Sequence, residues 1–177
     1  MRKWFLVTHR WLGLAAAVVL ALAGVSGVFL IWSHSEVLAD FHTHLSIGEP
    51  GEWLVNTSAL VFVLLAIGGL VLWWRRKALA IRRDKGWWRV LFDLHHALGA
   101  LGAILMLVVS LSGLGIMVNE EEGAPIDQSS FMFRLHTART YPLPIQLLWA
   151  AASVSFLVQA VSGVTMWWRP GDRGPEI

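Results

Sequence analysis

His9-Arg10-Trp11-Leu12-Gly13 is written twice in this chain. Eighty-six positions on, the sequence reads His95-His96-Ala97-Leu98-Gly99, and at the same offset Ser26-Gly27 returns as Ser112-Gly113. A second register, offset by ninety-four, lays Gly69, Trp73, Trp74 and Arg75 on Gly163, Trp167, Trp168 and Arg169. Carried back without a gap, that register also lays His42 on His136. An internal duplication therefore pairs His9 with His95 and His42 with His136.

Around these histidines the chain is apolar. Of its 177 residues, 56% are hydrophobic and 15% charged, whereas a soluble domain carries about a quarter charged residues. Four apolar runs, roughly 11 to 32, 54 to 74, 97 to 118 and 143 to 168, each approach the ~20 residues that a bilayer requires. The first run follows Arg2 and Lys3 and contains Ala21-Leu22-Ala23, which resembles a signal-peptide cleavage site. It continues apolar to Trp32, however, and its His and Gly positions recur inside the third run, so a retained span is expected. The expected fold class is an all-α membrane protein, a four-transmembrane-helix bundle made of two tandem two-helix repeats. A single membrane domain then covers 1–177, with repeat 1 over about 1–76 and repeat 2 over about 87–170. Residues 77–86 read as a basic loop and 171–177 as a disordered tail.

Basic residues orient the bundle. Arg2, Lys3 and Arg10 flank the first run, seven Lys/Arg fall between 75 and 89, and Arg169 and Arg173 follow the last run. The two other loops, 33–53 and 119–142, hold only Arg134 and Arg139 between them. Both termini are therefore expected in the cytoplasm and the acidic loops outside. The net charge of +2 reflects topology rather than nucleic-acid affinity. Neither outer loop exceeds about 25 residues, too short for a folded extramembrane domain. With no cysteine, disulfides, Cys-ligated iron–sulfur clusters and covalent haem attachment are excluded.

Ionisable groups inside a helical bundle are rare and mark function by default. Imidazole is the commonest metal ligand and a standard axial ligand of haem iron. The duplication puts His9 and His95 at one inner depth and His42 and His136 at one outer depth. If a pseudo-two-fold along the membrane normal relates the repeats, each pair faces across it and can ligate one iron from both sides. That arrangement gives two bis-histidine b-type haems, one near each membrane face. Gly27 and Gly113 lie five turns beyond the inner histidines, and Gly69 and Gly163 sit on the other helices at the inner level. Lacking side chains, they leave room for a porphyrin, or they serve helix packing alone.

Other residues carry weaker signals. His34, His44 and His96 lack repeat counterparts, their matching positions being Glu120, Ala138 and Arg10. His44 and His96 adjoin ligand candidates and can substitute for them, and His42-Thr43-His44 has a spacing that can chelate a divalent metal. The tryptophan-rich ends read as interface anchors. Arg10, Arg75 and Arg169 are explained by topology; Arg134 and Arg139 run against the charge rule, bracket His136, and suit haem propionates as guanidinium suits carboxylate. No nucleophile, base and orienter can be assembled, and no phosphate loop follows a strand. Any electron donor is then separate, a cytoplasmic reductase, or a quinol.

In this order the motifs resemble the PepSY-associated transmembrane helix family. The matching features are His9 to Gly13 with Ser26-Gly27, Phe41-His42 through Leu45, Gly48 and Gly51, and Gly69 to Arg75. They continue with Asp93-Leu94-His95 to Gly99 with Ser112-Gly113, Leu135-His136-Thr137, and Gly163 to Arg169. The resemblance implies a bacterial inner-membrane protein of the di-haem ferric siderophore reductase type, carrying electrons to periplasmic ferric iron. This chain would be a short form without the soluble PepSY domains, and it has Ala138 where the family tends to carry glycine after His-Thr. Two further readings stand beside it. One is a cytochrome b subunit exchanging electrons with quinol or a partner flavoprotein, and the other is a non-redox membrane protein that binds metal or a partner.

Overall fold

The computed structural model describes residues 2–74, 79–119 and 127–168. Arg75, Arg169, the acids at 120–122, part of the 77–86 loop and the 171–177 tail, all singled out in the sequence, lie outside the described residues. Among the described residues six α-helices follow one another: α1 (Arg2–Leu30), α2 (Glu36–His44), α3 (Glu49–Trp74), α4 (Trp87–Asn119), α5 (Phe131–Thr137) and α6 (Leu143–Trp168), with a 3-10 turn over Arg83–Lys85. Four of them, α1, α3, α4 and α6, are long and apolar enough to cross a membrane. A helix suits that medium because every mid-span N–H and C=O finds its partner within the segment.

The four long helices form a ring in which α1 packs on α3 and α6, and α4 packs on the same two. Helices α1 and α4 are thus diagonal, as are α3 and α6, which is the arrangement a two-fold axis through the bundle produces. The start of α1 and the end of α6 lie at the basal end of the bundle, and the opposite end is the distal end. Side chains such as Val18, Leu60, Leu101 and Ile104 face outward and exposed, where lipid tails solvate them at no cost.

Apolar surface drives little helix association in lipid, so close backbone packing matters more. At Gly24 on α1, a Cβ would stand 2.9 Å from the Ser153 carbonyl oxygen and 3.0 Å from the Phe156 Cβ, both on α6. Alanine there would push the two helices apart. The bundle centre is a cluster of Ala16, Leu20, Phe62, Leu65, Met106 and Phe156. Leu20 and Met106 are counterparts in the first repeat register, and Phe62 and Phe156 in the second. The core is therefore built from matched residues on both sides of the axis.

Each repeat also holds a short helix where the sequence reading has only loop. Ser35 and Ser130 cap α2 and α5, accepting from the backbone N–H of Leu38 and Phe133, and so satisfy one orphan donor at each N-terminus. Both helices stop at a non-glycine residue in the left-handed region, Leu45 at φ 52° and Ala138 at φ 54°. The link from α2 to α3 is tight. A side chain at Gly51 would run into the His44 carbonyl, so only glycine lets the first turn of α3 abut the end of α2.

Candidate functional site

At the basal end, α1 and α4 bring His9 and His95 together across the diagonal, edge to face, with ring centroids 6.4 Å apart and planes perpendicular. At the distal end, α2 and α5 bring His42 and His136 to 6.1 Å, tilted by 54°. The two pairs lie at opposite ends of the bundle, with the Phe62 and Phe156 contact in the central cluster between them.

Serines fix the rings. Nδ1 of His42 lies 2.8 Å from Ser26 Oγ, and Nδ1 of His95 lies 2.7 Å from Ser162 Oγ. Each serine donates its single hydroxyl hydrogen to a carbonyl of its own helix, Ser26 to Leu22 and Ser162 to Val158. The oxygen then serves as acceptor, so Nδ1 of each histidine carries the proton. His136 settles its own tautomer more directly, because Nδ1 donates to the Val109 carbonyl at 2.8 Å, with Ser112 Oγ at 3.4 Å. In all three rings Nε2 is left with a free lone pair. Fixing the tautomer through the other ring nitrogen is how proteins orient a ligating imidazole.

The four glycines sit against these rings. A Cβ at Gly27 would meet His42 Cε1 at 3.4 Å, and one at Gly113 would meet His136 Cε1 at 2.9 Å. At the basal level, a Cβ at Gly69 would meet His9 Cε1 at 3.5 Å, and one at Gly163 would meet His95 Cε1 at 3.5 Å. Their immediate effect is to seat an imidazole edge on a helix backbone. Three of the four are preceded by the serine that bonds a ring: Ser26-Gly27, Ser112-Gly113 and Ser162-Gly163. The third dipeptide was open to sequence reading, since it is the same pair of residues, but its serine has no counterpart in the ninety-four register, where Gly68 stands.

The remaining candidates are engaged elsewhere. His44 turns to Thr43 Oγ1 at 2.7 Å, with Asp40 at 3.4 Å and Glu52 at 3.8 Å. His96 stacks on Phe92, 4.1 Å between centroids, and its Nδ1 lies 3.1 Å from the Phe92 carbonyl oxygen. His34 is exposed, and so is Arg134. Arg139 donates from Nε to the Leu30 carbonyl at 2.9 Å and from Nη2 to the Ser33 carbonyl at 2.6 Å. Its guanidinium thereby caps the C-terminal end of α1, where carbonyls are left over; burial lowers its pKa from the ordinary value. At the basal rim Arg82 grips buried Asp93, two residues before His95, through its backbone N–H, Nε and Nη2. Arg89 Nε lies 3.1 Å from the same carboxylate without hydrogen-bond geometry.

Burial also sets the charge of the distal pair. It pushes His42 down to about 4, helped by the neighbouring His136 and opposed by the Ala23 carbonyl. Burial lowers His136 as well, against the raising effect of the Val109 carbonyl. Both imidazoles are neutral at pH 7, the form that binds metal.

Two imidazoles sharing a first-row metal, each nitrogen about 2.0 Å from it, hold their ring centroids roughly 6 Å apart, which matches 6.4 and 6.1 Å. Among the described residues no three of His, Cys, Asp or Glu gather to hold an ion. A metal offered only two protein donors needs the rest of its ligands from elsewhere, and a tetrapyrrole brings four. The donor set and spacing therefore fit a haem better than a bare ion.

A family model described as the PepSY-associated TM region matches residues 33–132. The chain belongs to that family. The PepSY-associated TM region match runs from the distal turn after α1 through α2, α3 and α4 into α5, and so includes His42 and His95. Over 88 residues the chain is 35% identical to an uncharacterized protein of Pseudomonas aeruginosa, an alignment covering 46% of this chain and 22% of that protein. The chain thus spans about a fifth of that curated relative's length. No solved structure matches it. With its four spanning helices, this PepSY-associated chain is a multi-pass membrane protein.

Proposed function

We propose that this protein is a di-haem b-type electron-transfer protein of a bacterial inner membrane, with both termini in the cytoplasm. It carries electrons from a cytoplasmic reductase or quinol to a periplasmic acceptor, ferric iron in a siderophore or similar chelate. The observation that carries the reading is the two imidazole couples, with ring centroids 6.4 and 6.1 Å apart, at opposite ends of one bundle. His9 with His95 would hold one haem and His42 with His136 the other; each supplies a reversible one-electron couple when bound.

The chain's own residues do the rest. Ser26, Ser162 and the Val109 carbonyl hold the Nδ1 protons, so that Nε2 of His42, His95 and His136 is the donor nitrogen. Gly27, Gly113, Gly69 and Gly163 fix the height of each ring against a helix. The long apolar helices keep water out between the two levels. With His9 and His95, or His42 and His136, as its two ligands, each haem would have no open position, and the acceptor would be reduced without entering the coordination sphere.

A second reading has one observation in its favour. The basic segment before α4 is fastened by Arg82 to Asp93, close to the basal pair. As a cationic surface held beside the basal pair, it suits docking of a flavoprotein to a cytochrome b subunit. Proteoliposomes distinguish the two. With reductant inside and ferric chelate outside, the leading reading predicts ferrous iron trapped by an external ferrous-specific chelator. Reduction of the protein by quinol or a flavoprotein with no ferrous product would favour the second.

A further inference from the structure

The two repeats treat their basal histidines differently. On the α6 side, His95 is held twice: Ser162 Oγ meets Nδ1 at 2.7 Å, and Gln159 Nε2 donates to the His95 carbonyl at 3.0 Å. In the ninety-four register Gln159 corresponds to Leu65 and Ser162 to Gly68. Both polar anchors are thus replaced by apolar residues beside His9. Nδ1 of His9 is buried and, among the described residues, has no hydrogen-bond partner; it lies toward the Leu65 carbonyl without reaching hydrogen-bond geometry. His42 and His136 at the distal end both have their Nδ1 bonded.

Resting on the di-haem reading, we propose that His9 is the labile ligand of the basal pair and that the basal site admits a small neutral ligand in its place. A hydrogen bond on Nδ1 fixes ring rotation and raises the basicity of Nε2. His9 has only the misaligned Leu65 carbonyl near Nδ1, so its ring is held less firmly than the other three and its donor nitrogen is weaker. In the exchange, the bond from the metal to His9 Nε2 breaks and a bond to the incoming ligand forms, with no change of oxidation state. A ligand such as carbon monoxide, a compact π-acceptor that prefers the reduced metal, is the class that profits. The distal site, with both rings anchored, stays closed.

The fold supplies its own repair. A Cβ at Gly68 would have His9 Nδ1 as its nearest atom, at 3.8 Å, an ordinary contact with room for a hydroxyl. Gly68→Ser therefore restores to the first repeat what Ser162 provides in the second. Full-length, haem-loaded protein in mild detergent is reduced, titrated with carbon monoxide and followed in the Soret region. The expected result is carbon monoxide binding at one of the two haems, the one lost in His95→Ala. Gly68→Ser should weaken that binding roughly 10- to 100-fold, the usual effect of an outer-shell partner, while Gly68→Ala should leave it unchanged. Ser162→Ala should strengthen it.

A second readout needs no haem. In cofactor-free protein, nitrogen-15 histidine spectra should show a fixed Nδ1–H tautomer at His42, His95 and His136 and tautomer exchange at His9, abolished by Gly68→Ser. Two bound haems with no carbon monoxide response, or an equal response in Gly68→Ser, would overturn the inference and leave the di-haem reading intact. A fixed tautomer at His9 in the parent protein would overturn it as well. Protein that takes up no haem would sink both.

Discussion

Phe62 and Phe156 occupy the same position in the two repeats and meet ring to ring, with centroids 4.4 Å apart, between the basal and distal histidine pairs. They belong to the diagonal helices α3 and α6, so this contact crosses the centre of the bundle. In lipid the benefit of the contact is packing rather than transfer from water. Removing one ring leaves a void, and at about 24 cal/mol per Å³ a phenyl-sized hole of roughly 80 Å³ costs about 2 kcal/mol. Phe156→Ala should lower unfolding stability in mild detergent by that amount, and Phe156→Leu by less. Equal stability of Phe156→Ala and the parent protein would mean that the central layer does not hold the bundle.

The glycines under the rings should rank by the space each leaves. A Cβ at Gly113 comes within 2.9 Å of His136, closer than real contacts allow, against 3.4 Å for Gly27 and His42. For Gly69 and Gly163 the distance to the ring is 3.5 Å. Gly113→Ala should therefore displace the distal pair most, Gly27→Ala less, and the two basal variants least. Haem content after reconstitution reports the order. A basal variant that loses more haem than Gly113→Ala would break it.

Acid should loosen the distal end. In cofactor-free protein His42 is pushed from 6.5 to about 4, and His136 is lowered too, chiefly by burial. A histidine depressed in the fold takes up its proton in the unfolded chain first, so stability is intact above about pH 6.5 and falls as pH drops toward 4. Melting temperature measured over this range should decline, and His42→Gln should flatten the decline. A stability that is independent of pH between 6.5 and 4 would contradict the burial of the pair.

Arg139 acts on the same end through the backbone. Its fork closes the carbonyls of Leu30 and Ser33 at the end of α1, and hydrogen bonds from a charged donor contribute about 1.5–3 kcal/mol. Arg139→Ala should destabilise the protein by about 2 kcal/mol. Arg139→Lys should recover little of it, because an ammonium cannot reproduce the planar fork. Full recovery by lysine in a thermal melt would show that charge, not geometry, is what the site uses.

Much of this was legible in the sequence because the chain states it twice. The spans followed from length and apolarity, and the pairing of His9 with His95 and His42 with His136 followed from the two repeat offsets. The short helices α2 and α5 were not legible. Their serine caps were present, but Leu45 and Ala138 occupy left-handed positions where glycine would have signalled a stop. Ala138 stays there because its methyl is fully buried beside Ile31 and Trp149, which offsets about 1–2 kcal/mol of backbone strain in part. The serine anchors were hidden for a different reason: a hydroxyl in an apolar helix reads as a backbone-satisfied spectator until the ring it touches is known. Arg139 depended on tertiary structure altogether, since nothing local links it to Leu30, more than a hundred residues away.

On the proposed function, the two imidazole couples are two separate haem sites. Haem per protein, measured by pyridine haemochrome on purified protein after haem-replete expression, tests it most directly. Two haems are expected in the parent protein, one after His95→Ala, one after His136→Ala, and two after His34→Ala. A protein that remains colourless, or that keeps both haems when His95 and His136 are replaced together, would contradict it.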